Sequence, residues 1–65
     1  MTYAEMDSIE AGQRFKSPSG LIVETTGNTS SIDVHQIYVH EVKIVEGEYA
    51  GEVFLLNLDY AEPLS

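Results

Sequence analysis

The chain has 65 residues, and its eleven Asp and Glu against three Lys and Arg give a formal net charge of −8. Hydrophobic residues make up 43% of it, too many for a disordered acidic tail and enough for one small core, and a deep substrate cleft is not expected at this size. The absence of cysteine excludes disulfides, thiolate metal sites and cysteine nucleophiles, and the acidic balance disfavours phosphate backbones and anionic membranes as partners. There is no targeting segment at the N-terminus and no apolar run near the roughly 20 residues of a membrane helix, so a cytoplasmic protein is expected.

Residues 1–11 predict a short helical turn. Thr2 and Glu5 have capping-box spacing, Met6 and Ile9 can share an inward face, and Gly12 is a stop. From residue 12 onward the pattern is that of strands. Gln13-Arg14-Phe15-Lys16 places Phe15 inward with Arg14 and Lys16 on the other face, and Ser17-Pro18-Ser19-Gly20 is a tight turn. A β-branched strand, Leu21 to Thr26, completes a hairpin and runs into a polar loop at Gly27-Asn28-Thr29-Ser30.

The longest β stretch follows, and its apolar residues change face near Gln36, which predicts a bulge or bend there. Val42, Ile44 and Glu46 then alternate with Lys43 and Val45. After a connection from Gly47 to Gly51, the run Glu52 to Leu58 is apolar at both parities and predicts a strand covered on both faces or one that curls around a barrel. Asp59 to Glu62 reads as a turn or 3₁₀ piece, and Pro63 holds Leu64 extended. The expected architecture is all-β: one domain, residues 1–65, forming a small barrel of about five strands behind a short N-terminal helical turn.

The plan of a helical turn, Ile9-Glu10-Ala11-Gly12-Gln13-Arg14-Phe15, a meander, and Tyr60-Ala61-Glu62-Pro63-Leu64 as a closing 3₁₀ turn and strand resembles small SH3-like barrels. The chain departs from the signalling SH3 domain, lacking Trp and the Ala-Leu-Tyr-Asp-Tyr signature, and a fold of this kind hosts many functions.

His35 and His40, five residues apart beside Asp33 and Glu41, match no known metal-ligand spacing, and a hydrogen-bonded strand histidine is the simpler reading. Glu46, Glu48 and Glu52 bracket the Gly47–Gly51 connection, but a barrel filled by its own side chains has little room for a catalytic pocket. No enzyme activity, cofactor or metal is expected. Tyr is enriched at interfaces, so Tyr38 and Tyr49 with Glu46, Glu48 and Glu52 are the candidate protein-binding residues, the carboxylates steering a basic partner. By analogy, small acidic domains of this type resemble phage or bacterial accessory and inhibitor proteins. The alternatives are a nucleic-acid-binding barrel using Arg14, Phe15 and Lys16, and a homo-oligomeric structural subunit that pairs through its edge strands.

Overall fold

Apolar–polar alternation and turn residues divide the chain into five strands, and a computed structural model describes residues 2–32 and 37–64 of it. The strands are β1 (Arg14–Lys16), β2 (Ile22–Ile32), β3 (Ile37–Ile44), β4 (Val53–Leu56) and β5 (Glu62–Leu64). One 3₁₀ turn, Tyr3–Glu5, precedes β1, and a second, Leu58–Tyr60, separates β4 from β5. All pairings are antiparallel, in a single open sheet of order β4-β3-β2-β1-β5. β4 and β5 are therefore its two edges. Among the described residues no helix is long and apolar enough to cross a membrane.

The inner face of the sheet carries the core. Phe15 stands opposite Val23, and Val23 opposite Ile44, so three strands contribute one apolar row. Ile9 and Leu58 cover it from the N-terminal segment and the second 3₁₀ turn, with Val42 beneath and Tyr3, Leu21, Phe54, Leu56 and Ala61 at its margin. Phe15 is only 1% exposed, and burying a side chain of this kind contributes about 1.5–3 kcal/mol. Tyr3 closes over it edge-on, with ring centroids 5.3 Å apart and planes at 87°.

The N-terminal segment forms the short turn its spacing predicts, but over Tyr3–Glu5 alone of residues 2–11. Glu5 accepts from the Thr2 amide at 3.2 Å, as expected, but the helix ends after one 3₁₀ turn and the chain runs irregularly to Gln13. Thr25 explains why the chain docks there instead. This buried residue donates its hydroxyl to the Glu10 carbonyl at 2.7 Å and accepts the Gln13 amide at 3.0 Å. Tertiary hydrogen bonds to β2 replace the helical ones, which are marginal in so short a piece.

Two further expectations are corrected. Gly27 to Ser30 is not a loop: β2 runs through it to Ile32. The register with β3 shifts there, because four residues separate Thr25 from Thr29 while two separate their partners Val42 and His40. Inserting two residues keeps the parity of the strand, so Thr29 faces inward as Thr25 does. Gly27, at φ +95°, sits in this irregularity, where a β-carbon would lie 3.5 Å from that of Ala11. The bend expected near Gln36 lies outside the described residues, as does His35. The second correction concerns β4, which spans only Val53–Leu56 and is covered on one face, not two.

Candidate functional site

Residues 46–52 join β3 to β4, and every one of them is exposed. The connection is nonetheless tightly hydrogen-bonded. Ala50 donates to the Gly47 carbonyl at 3.3 Å and Glu52 to the Tyr49 carbonyl at 3.1 Å. Gly51 and Ile44 close it, the Gly51 amide bonding to the Ile44 carbonyl at 2.7 Å and the Ile44 amide to the Glu52 carbonyl at 2.9 Å. Two residues thus oppose one, a glycine-initiated bulge that needs the positive φ of Gly51, +101°. This geometry holds Tyr49 outward, 55% exposed, between Glu48 and Glu52.

The connection feeds directly into β4, whose Val53 and Leu55 are 54% and 51% exposed while Phe54 and Leu56 pack on the core. On the outer face of the sheet Val53 neighbours Lys43, and Leu55 neighbours Glu41. Tyr49, Val53 and Leu55 therefore form apolar surface along one exposed stretch of chain flanked by Glu48 and Glu52. Among the described residues the ion pair is Arg14–Glu24, 3.3 Å apart, so the glutamates of the connection carry unneutralised charge. Glu46 lies at the start of the connection and lines a shallow concavity of about 630 Å³ shared with Arg14, Ile22, Pro63 and Leu64.

Of the residues singled out from the sequence, the structure thus gathers Tyr49, Glu46, Glu48 and Glu52 on one connection. Tyr38 is elsewhere. It is half-buried near the start of β3, opposite Ser31, and the six residues from there to Ile44 span about 20 Å of strand. Phe15, named with Arg14 and Lys16, is a core residue whose ring is inaccessible to a stacking base, while its two basic neighbours are exposed on the opposite face. Val53 and Leu55 were not legible as surface, because a run apolar at both parities carries no signal for which face is open.

The buried His40 is engaged on both ring nitrogens: Nδ1 lies 2.9 Å from the Thr29 hydroxyl and Nε2 lies 3.1 Å from the Tyr3 carbonyl. A carbonyl only accepts, so Nε2 carries a proton, and in the neutral ring Nδ1 accepts from Thr29. This leaves the ring no lone pair for a metal, and its role is to fasten the N-terminal segment to β3. The Glu41 carboxyl is held below the ordinary glutamate pKa by hydrogen bonds from Asn28 and Thr26 against a smaller desolvation effect. What the connection and β4 present together is apolar area, negative charge and an unpaired sheet edge, the elements of a contact surface.

Neither a protein-family model nor a curated protein nor a solved structure matches this chain.

Proposed function

We propose that this chain is a non-catalytic, acidic protein-interaction module that engages a basic protein surface in the cytoplasm. The contact face is the β3–β4 connection with the strand it leads into: Tyr49, Val53 and Leu55 as apolar contacts, and Glu46, Glu48 and Glu52 as the charges that steer the partner. The observation that carries this reading is the outward apolar stretch, each of its three side chains more than half exposed, set beside glutamates that no cation of the described residues neutralises. Isolated exposed apolar residues are ordinary, but a row of them rimmed by charge marks a binding surface. A module of this kind needs a rigid small scaffold. The meander of β1 to β4, with β5 returning after a 3₁₀ turn to pair with β1, supports an SH3-like barrel as that scaffold.

Nucleic acid is a weaker candidate, since Phe15, the aromatic set between Arg14 and Lys16, is buried and cannot stack on a base held by them. Affinity capture from host lysate, with and without nuclease, tests the proposal. A specific protein retained after nuclease treatment, released as salt rises and lost with Glu48→Gln/Glu52→Gln, is the expected result. Retention of oligonucleotide alone, or a complex indifferent to both salt and the substitutions, overturns it.

A further inference from the structure

The two edges of the sheet are not equivalent, and the hydrogen-bond parity of the strands shows why. In an antiparallel pair, opposed residues alternate between exchanging backbone hydrogen bonds and turning them away. The Ile44 amide bonds to the Glu52 carbonyl, so this is a bonded pair, and the register makes Val42–Phe54 and His40–Leu56 the next bonded pairs. Val53 and Leu55, between them, turn their N–H and C=O groups away from β3 to the free edge. These are the two residues of β4 whose side chains are exposed.

At the other edge the same reasoning gives the opposite result. The Ser17 amide bonds to the Leu21 carbonyl and the Thr25 amide to the Gln13 carbonyl, which turns Phe15 toward β2 and leaves Arg14 and Lys16 to bond β5. Their partners are Leu64 and Glu62, so the residue turned to the free edge is Pro63. Proline has no N–H, so among the described residues β5 turns no donor to this edge. A charged neighbour and a three-residue strand blunt it further. β4 has no proline, and both of its outward-turned residues, Val53 and Leu55, keep their N–H donors.

We infer that the free edge of β4 is a strand-addition site for an extended, basic segment of a partner protein. The segment would pair in the manner of β-augmentation, exchanging backbone hydrogen bonds with Val53 and Leu55 and laying apolar side chains beside theirs. The occupant follows from charge. A second copy would bring its own net charge of −8 to an edge already flanked by Glu48 and Glu52, whereas a Lys- or Arg-bearing segment is drawn to it. The inference rests on the acidic-module reading above and adds to it a mode, an edge and a partner conformation.

The test uses a fluorescent octapeptide alternating lysine and valine, its glutamate–valine counterpart, and a globular basic protein, cytochrome c, as probes at low salt. Binding of the lysine–valine peptide, with hydrogen exchange of the Val53 and Leu55 amides slowed at least tenfold while Phe54 and Leu56 stay as protected as before, is the expected result. Leu55→Pro removes one outward donor without changing charge and should weaken that peptide about tenfold, in line with the loss of an edge hydrogen bond and its neighbour. Should Leu55→Pro fail to fold, the alternating exchange pattern in the unaltered chain decides alone. If cytochrome c or the peptide binds but the Val53 and Leu55 amides exchange unchanged, the edge assignment falls and the acidic-module reading stands. If neither basic probe binds, both fall. If the glutamate–valine peptide binds equally, or if protection of the two amides grows with protein concentration and no peptide, the basic occupant is wrong.

Discussion

Glu41 accepts hydrogen bonds on one carboxylate oxygen from Asn28 at 3.1 Å and from the Thr26 hydroxyl at 2.8 Å, both from the stretch of β2 where the register shifts. The irregularity at Gly27 thereby gains a tie to β3 that the missing ladder bonds do not provide. Because these donors favour the charged form, the carboxyl is more acidic in the folded chain than in the unfolded one. The sign of the linkage follows. The contribution is full above the ordinary glutamate range, near pH 4, and is lost as pH falls through the lower folded value. Unfolding free energy of the parent minus that of Glu41→Gln, measured by denaturant titration from about pH 7 down to pH 3, should therefore decline below about pH 5. Taking the difference removes the general effect of protonating the other acids. A difference flat in pH would show that the Asn28 and Thr26 bonds do not discriminate the charged carboxylate.

The first 3₁₀ turn depends on the second. Asp59 accepts from the Tyr3 amide at 2.8 Å and the Ala4 amide at 3.1 Å, satisfying donors that so short a helix leaves free. The Tyr3 carbonyl meanwhile accepts from His40, so the residue whose ring covers Phe15 is gripped on both sides of its backbone. Asp59→Ala should cost about 1 kcal/mol, the usual value of a lost cap, and should weaken the near-ultraviolet tyrosine signal while the strands persist. Unchanged stability would place the docking of Tyr3 on ring packing alone. None of this pairing was visible in the sequence, where Asp59 is one acid among eleven and its partners lie 56 and 55 residues away. Legibility followed local chemistry. The β1–β2 hairpin was readable because Pro18 and Gly20 punctuate it, and the closing strand because Pro63 fixes its backbone. The passage of β2 through Gly27-Asn28-Thr29-Ser30 was not, since an irregular stretch of polar strand has the composition of a loop. Likewise Tyr49, Glu48 and Glu52 were found together because they are contiguous, whereas separating Tyr38 from them required knowing that β3 runs between.

Taken as one body, the molecule carries much of its charge on carboxylates that make no ion pair among the described residues. Its three cations, Arg14, Lys16 and Lys43, all lie exposed on the outer face of the sheet, and Arg14 stands opposite Glu24, which stands opposite Lys43. That row holds two cations against one carboxylate, so the acidic surplus that gives the chain its net charge of −8 is carried elsewhere, and Glu46, Glu48 and Glu52 are part of it. Self-repulsion of this kind destabilises the compact state, and mobile ions screen it over a Debye length of about 10 Å at 0.1 M. The same ions weaken attraction to a basic partner. Stability and binding should consequently respond to salt in opposite directions. Raising sodium chloride from about 10 mM to about 0.3 M, a change that shortens the screening length severalfold, should raise the thermal midpoint of the free chain by roughly 5 °C, equivalent to about 1 kcal/mol for so small a domain. Over the same range the affinity for a basic partner should fall. Glu48→Gln/Glu52→Gln should reduce both slopes, because it removes charge that contributes to each. A midpoint that drops with salt would mean that attractive pairs outweigh repulsion in the folded chain. In that case the surplus charge would be balanced within the molecule, and it would no longer supply the field by which a basic partner is recruited to β4.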